Sequence, residues 1–583
     1  MNYGVGISRR AALRMGAAMP AGYMAAASPA RVTGRKTLSI YRPRVHTTDI
    51  YTRHPGITPL LKYNHDADIV KFKGRYIAAW NANGTALENA PGQFNYSSVS
   101  DDFFHWSKPI RPFTREGGSE NPVDKDNQWQ PGFINYHDRI LFCAWCTLTS
   151  RQTFVSSSLD GVHWLNSEVP TAPKSLKGKV VGFPTTHGLL TSKDVLMFPC
   201  SLPNVGDFIV GTTRYAAVLL SFDGGKHWEW SDPIEAMSWS ETGEDPALFG
   251  GETIYLWEPV LFEKPDGGIG LLIRNSTAQD APQRAEKPHR MILTAEADAQ
   301  GRRWSKARPV EVDSICSRMF AVAQTRSASD LLAVMNDWYV RIPEKISYDR
   351  YFLSLFCSPV CDPDLLLPGP VVQPPGGRAF YPSGFTNSGR LYLAYTYPGG
   401  IQSSIIDPLP DFSEPFFLPR EGRTGLRIED RLARLGHRFS TLGLVMTAKL
   451  TAQPELRVSF EVNVNSYDGN PFPILTLGGK TRGGASVRVV YSQSDQADAI
   501  QAKSTEGEWL NVALVRVKEW NRIMVHIRPQ GFAISVNGAA PRELSSPVLR
   551  KLAFGGLYER PEWPIGMTQA SDIQINLDSV QVG

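Results

Sequence analysis

Cysteine is scarce in this chain, six in 583 residues, so burial of apolar surface rather than a disulfide framework has to hold it together. Cys143 and Cys146 stand in one apparent strand with their side chains on opposite faces, which argues against a shared metal. Cys357 and Cys361 flank a turn and are the pair placed to bridge in an oxidising compartment; buried free thiols are expected elsewhere. Past residue 30 no segment reaches about eighteen uninterrupted apolar residues, so no membrane span is expected. Charge of one sign is lacking too. The net charge is +4, with no Lys/Arg run and no recognition-helix pattern, which argues against nucleic acid as partner and leaves room for a local cationic pocket.

The material present is that of ordinary folded domains: 42% hydrophobic, 20% charged and 10% aromatic residues, including 14 Trp, enough for cores and for stacking on sugars. The length calls for two globular units rather than one core. Residues 1–30 read as an address. Ser8-Arg9-Arg10-Ala11-Ala12-Leu13 fits a twin-arginine signal, a mildly apolar stretch runs from Met15 to Ala27, and small residues from Ala25 to Ala30 suit cleavage, so an exported protein is expected.

A recurring turn organises the next part of the chain. Ser221-Phe222-Asp223-Gly224-Gly225-Lys226-His227-Trp228 follows Ser-x-Asp-x-Gly-x-x-Trp, the Asp box that closes a hairpin between outer strands of a propeller blade. The Asp accepts backbone N–H groups, the Gly supplies positive φ, and the Trp packs between blades. Ser158 to Trp164 and Ser100 to Trp106 are shorter versions, and Asp298 to Trp304 is a looser fourth. Their tryptophans, Trp106, Trp164, Trp228 and Trp304, are 58, 64 and 76 residues apart, room for about four strands each. Short runs from Ile69 to Trp80, Ile140 to Cys146, Val195 to Ser201, Ile269 to Arg274, Leu331 to Met335 and Leu391 to Tyr395 read as the inner strands of six blades. Leu38 to Leu61 is available for a seventh.

The fold expected is therefore all-β: a six- or seven-bladed β-propeller over residues 37–415, a linker at 416–430, and a C-terminal β-sandwich of jelly-roll or laminin-G type over 431–583. The sandwich strands are read at Leu456 to Val464, Ala485 to Tyr491, Asn521 to Ile527 and Phe532 to Val536, the last followed by an Asn537-Gly538 turn. Binding sugar and capping the propeller both suit it.

Propeller ligands sit at the axial end, on residues bordering the innermost strands. Asn64-His65-Asp66-Ala67-Asp68 is a polar cluster of that kind. His187, in Thr185-Thr186-His187-Gly188, and Arg214-Tyr215 precede later strands, and Glu258 and Arg274 frame a fourth. Arg318 and Tyr381 take similar places in the next two blades, while Trp129 is placed to stack on a sugar ring. Basic and phenolic groups outnumber carboxylates here, which favours β-elimination at a uronic acid over hydrolysis by two carboxylates. The uronate charge must be neutralised before its C5 proton can leave, a task for Arg or a cation.

The Asp boxes, with Glu258-Pro259, Gly270 to Arg274 and Tyr381-Pro382-Ser383, resemble the sialidase superfamily over roughly residues 40 to 415; the match to true sialidases departs at the start, where their Arg-Ile-Pro motif is only faintly echoed in Tyr41-Arg42-Pro43. Asn64 to Ile69 with Phe72-Lys73-Gly74, and Phe183 to Leu190 with Met197 to Cys200, are similar to propeller polysaccharide lyases. The ulvan lyases are one such group; the L-rhamnose-α-1,4-D-glucuronate lyases are nearer. That resemblance implies His65, His187 and Tyr215 as proton-transfer residues, and Arg214 and Arg274 as carboxylate partners. Asp68, Trp129, Glu258, Arg318 and Tyr381 complete the candidate substrate site. It also leaves Ca²⁺ open, although no dedicated calcium loop is present. The expectation is a secreted lyase releasing a terminal sugar from an acidic polysaccharide. The rivals are a sialidase-like exo-glycosidase with Tyr381 as nucleophile and a non-catalytic glycan-binding propeller.

Overall fold

The computed structural model describes residues 37–52, 60–111, 127–146, 152–161, 163–205, 214–243, 253–276, 291–313, 317–325, 329–336, 350, 352–373, 378–420, 426–436, 440–466, 471–479, 485–492, 497–504, 507–545, 548–556 and 572–583. The twin-arginine stretch lies outside them. Residues Leu38–Gly583 make one compact unit, in which successive antiparallel sheets form the blades of a propeller.

Blade one holds Tyr63–Phe72, Arg75–Asn83 and Phe94–Ser100; blade two holds Gln128–Tyr136, Arg139–Cys146, Gln152–Ser158 and Leu165–Glu168. In blade three the inner strand is broken into Phe183–Pro184 and Leu189–Leu190, followed by Leu196–Ser201, Tyr215–Ser221 and the short outer pieces Glu229–Trp230 and Ile234–Glu235. Blade four comprises Leu256–Glu263, Ile269–Asn275, Met291–Ala297 and Arg308–Asp313, and blade five Phe320–Ala323, Leu331–Asn336, Leu353–Ser358 and Leu367–Val371. Phe380–Asn387, Arg390–Tyr397 and Gly400–Asp407 make blade six, whose outer edge is supplied by Arg44–Thr52 from the other end of the chain. The propeller thus has six blades. Arg44–Thr52, from the stretch available for a seventh blade, closes the sixth instead, and Tyr41-Arg42-Pro43 leads into that outer strand, away from the axis.

The apolar runs read as inner strands are the second strands of their blades. A second strand is covered on both faces by neighbouring blades, so it reads as a continuous hydrophobic run. The innermost strand must face the axis and carries the polar residues that sequence places before the run. Ile69 to Trp80 accordingly spans a hairpin, and Asn64 to Asp68 lies inside the innermost strand Tyr63–Phe72.

All four Asp boxes follow the third strand of their blades. In the third box Asp223 Oδ1 accepts from the N–H groups of Lys226 (3.1 Å) and His227 (2.9 Å), and Trp228 Nε1 donates to Gly225 O (3.1 Å). The left-handed place taken by Gly161, Gly225 and Gly301 falls to Phe103 in the first box, at φ 74°. That conformation costs a phenylalanine about 1–3 kcal/mol. Full burial of its ring, worth about 1.5–3 kcal/mol, against Tyr76, Trp106 and Tyr392 offsets the cost.

Beyond blade six the chain builds a sandwich of an eight-stranded and a seven-stranded sheet. Phe416–Pro419, read as linker, is a strand of the larger sheet, pairing antiparallel with Thr441–Val445 and parallel with Ser39–Ile40. Its run Phe416-Phe417-Leu418 is apolar on both faces because Phe417 enters the sandwich core while Phe416 and Leu418 join the core of the last two blades. Leu426–Glu429, also within that stretch, begins the smaller sheet. The Asn537-Gly538 turn has positive φ at both residues, 53° and 80°, as a type I′ hairpin requires. Cys143, Cys200, Cys357 and Cys361 are free thiols, so the 357–361 bridge is not formed.

Candidate active site

An extra residue on an inner strand breaks its pairing and re-aims a side chain. This happens at one level in four blades: between His65 and Asp68, Trp129 and Gly132, Trp257 and Val260, and Phe380 and Ser383. The first residue of each bulge is left-handed, namely Asp66 (φ 57°), Gln130 (47°), Glu258 (47°) and Tyr381 (59°). Strain of about 1–3 kcal/mol at each of these non-glycine positions is spent on one ring of side chains. Pro131, Pro259 and Pro382 follow three of them, and the N–H that proline lacks is one the bulge leaves without a ladder partner. Gly132 keeps blades two and three close, since a Cβ there would stand 2.5 Å from Thr186 O.

The ring residues meet at the axis. Arg274 Nη1 donates to Glu258 Oε2 at 2.6 Å and to the Tyr381 hydroxyl at 2.7 Å, and Gln130 Nε2 donates to Glu258 Oε1 at 3.2 Å. Arg318, 0% exposed, crosses the axis from blade five. Its Nη1 donates to Thr185 O (3.0 Å) and its Nη2 to Ala67 O (2.8 Å) and Tyr381 O (3.2 Å), tying three other blades together. The His65 ring lies 4.2 Å from that of Tyr381, its Nδ1 shares a hydrogen bond with Thr396 Oγ1 (3.0 Å), and its Nε2 is 3.6 Å from Asp66 Oδ1. Asn81 donates its amide to His65 O (2.8 Å) and Asp66 Oδ2 (3.2 Å). The Arg350 guanidinium sits 4.8 Å from the Tyr381 ring.

Burial sets the protonation of this cluster. It pushes Asp66 up to about 7 despite the opposing charge of Arg318, and His65 down to about 4. It also drives the Tyr381 phenol well up. Burial alone would raise Glu258 as well, but the Arg274 guanidinium, helped by Arg318 and Arg350, outweighs it and holds Glu258 below the usual carboxylate range. Near neutrality the two acids are pushed apart, Glu258 ionised and Asp66 able to carry a proton, the division of labour that acid–base chemistry needs.

Of the residues singled out from sequence, His65, Glu258, Arg274, Arg318 and Tyr381 come together here. Asp68 and His187 form a separate pair: His187 Nδ1 donates to the Asp68 carboxylate at 3.0 and 3.1 Å. Asp68 also accepts from Ser383 Oγ (2.6 Å), Ile69 N (2.8 Å) and Phe133 N (2.7 Å). Tyr215 packs against the cluster of Ala172, Val180, Leu202 and Ala217 on the third strand of its blade, with Arg214 exposed before it. Trp129 packs on Val181, Phe183 and Trp257 between blades. Asp66, named only within the Asn64 to Asp68 cluster, has no role of its own in the sequence reading, and neither Gln130 nor Arg350 has one. The recurrence of a polar residue before proline, Gln130-Pro131, Glu258-Pro259 and Tyr381-Pro382, carried the signal for Gln130; Arg350 stands in no motif.

His65, Asp66 and the exposed Glu88 each offer one ligand atom within 4.8 Å of the others. One nitrogen and two carboxylates fit a transition ion better than Ca²⁺, which takes six to eight oxygens, and the neighbouring Arg318 and Arg350 charges oppose any cation.

No protein-family model and no curated protein matches the sequence. Among solved structures the chain is similar to Trypanosoma rangeli sialidase, at 10% identity over 93% of this chain and 96% of that one with a TM-score of 0.48. It is also similar to a mutant of the NanB sialidase from Streptococcus pneumoniae, at 11% identity over 61% and 70% of the two chains with a TM-score of 0.43.

Proposed function

We propose that the chain is an enzyme that cleaves a glycosidic bond of an acidic glycan at this axial site, with Tyr381 as nucleophile, Glu258 as its partner base and Asp66 as proton donor. The observation that carries the reading is the shared nitrogen of Arg274, 2.6 Å from Glu258 and 2.7 Å from the Tyr381 hydroxyl. A buried phenol gives up its proton only while it attacks, and an ionised carboxylate beside it receives that proton as the bond to the anomeric carbon forms. Arg274 stabilises the charge passing between them. Asp66 Oδ1, buried without a hydrogen-bond partner, is the oxygen suited to protonate the leaving group. Three guanidiniums, Arg274, Arg318 and Arg350, surround one ionised buried carboxylate, so the site favours an anionic sugar. An uncharged phenol approaches such a sugar without the repulsion a carboxylate nucleophile would meet.

Elimination at a uronic acid keeps one observation in its favour. His65 is uncharged near neutrality, with Nδ1 engaged by Thr396 and Nε2 turned to Asp66 beside Tyr381, and so can serve as a base. Its sequence-derived partners, His187 and Tyr215, are not among the groups that meet Tyr381. The test is to incubate the purified protein with sialylated and uronate-bearing glycans while following reducing-sugar release and absorbance of a new C4–C5 double bond. Release without absorbance is expected. Absorbance rising with release would convert the reading to a lyase, and neither signal on any acidic glycan would leave a binding propeller.

A further inference from the structure

We propose a second ligand site at the opposite end of the propeller axis, one that takes an uncharged pyranoside and is headed by His187. A cavity of about 420 Å³ lies there, bounded by the inner strands of all six blades, within the roughly 300–1,000 Å³ range of small-molecule sites. His187 and its neighbours Gly188, Leu189 and Leu190 line it, whereas the ring of Asp66, Gln130, Glu258 and Tyr381 does not.

The head of this site is built. Phe183–Pro184 and Leu189–Leu190 pair with one second strand, and the residues between them loop out of register, which brings His187 to the axis. Gly188 makes the approach feasible, since a Cβ there would stand 2.3 Å from Ile134. Asp68, immobilised by Ser383 and by the Ile69 and Phe133 amides, holds Nδ1 of His187. That fixes the ring and leaves Nε2, which has no protein partner among the described residues, to meet a ligand hydroxyl.

The lining decides the ligand class. Leu189, Leu190, Val322 and Phe385, all half-buried, offer apolar surface to the C–H face of a sugar ring, Phe262 and Phe320 being packed away in the cores between blades. Asn135 and Gln324, whose amide nitrogens already donate to Lys71 O (2.7 Å) and Glu263 O (3.2 Å), keep their side-chain oxygens as acceptors, and Thr386 adds its hydroxyl. No Lys or Arg lines the cavity among the described residues, and Glu263 is already engaged by Ser192 N (2.9 Å) and Oγ (2.5 Å). A carboxylated sugar finds no counter-charge here, in contrast to the arginine-rich end. The site requires nothing of the reaction proposed at that other end.

The experiment is titration calorimetry of the full chain with methyl α-D-glucopyranoside, methyl β-D-galactopyranoside and methyl α-L-fucopyranoside, repeated on His187→Ala and on Thr386→Trp. The second variant fills the mouth from a partly exposed position and leaves the His187–Asp68 pair in place. Saturable binding of at least one glycoside is expected, weakened at least tenfold in both variants. Absence of saturable binding of all three glycosides, or undiminished binding in either variant, overturns the proposal.

Discussion

The two ends of the propeller axis are made by the same inner strands, yet one collects charge and the other apolar surface. At the Tyr381 end, bulges with left-handed Asp66, Gln130, Glu258 and Tyr381 replace regular pairing, and buried arginines balance the acids they bring in. At the His187 end blade three alone breaks, to bring His187 in, while the other inner strands run regularly, Val70, Ile134, Val260 and Phe320 among them, and the lining is largely that of a barrel interior. Arg318 stands between, its guanidinium consumed by carbonyls of three blades. A repeat fold thus acquires polarity along its axis from a few backbone irregularities rather than from different blades.

The contrast can be broken from the charged end. Tyr381→Phe is expected to lower turnover of an acidic glycan about 10³-fold with little change in the thermal midpoint, a split that rate assays and calorimetric scans of one preparation resolve. Arg318→Met removes the divider. It orphans three buried carbonyls and is expected to cost about 3–5 kcal/mol in urea unfolding; a loss under about 1 kcal/mol would mean the blades hold the axis without it.

Asp66 gives a sharper test by pH. As the proton donor it is competent below its value of about 7, so turnover should fall about tenfold per unit above that point, and Asp66→Asn should remove this limb along with most activity. The folded chain holds the Asp66 proton more tightly than the unfolded chain does. Its stabilising contribution is therefore complete below the ordinary value of 3.8 and lost as the pH rises to about 7. Unfolding measured across that window should show the loss, and Asp66→Asn should abolish it. The smallest effect is expected away from the axis, where Asp223→Ala removes two backbone acceptor contacts in an Asp box. It should cost about 1–2 kcal/mol in urea unfolding and leave turnover unchanged.

Much of the blade pattern is legible in the sequence because Asp boxes act locally. Ser, Asp, Gly and Trp within eight residues close their own hairpin, so Ser221 to Trp228 announces a turn whatever surrounds it. Sandwich strands such as Leu456–Ser466 alternate apolar and polar residues and are legible for the same reason. The second strands read as inner ones because burial on both faces looks alike at any radius, and only sheet order separates them. Phe416–Pro419 read as linker because its partners lie in the sandwich and at Ser39–Ile40, too distant in sequence to leave a local trace.

The site divides along the same line. The sequence by itself determined the all-β class, the propeller turns and the polar or charged types at His65, Glu258, Arg274, Arg318 and Tyr381, since these follow from residue chemistry and short-range pattern. Only the tertiary structure decided which of them meet. Left-handed bulges and interblade register depend on contacts between strands as far apart as Ala67 and Arg318, and those contacts brought Tyr381 to Arg274 while pairing His187 with Asp68 in a separate cluster.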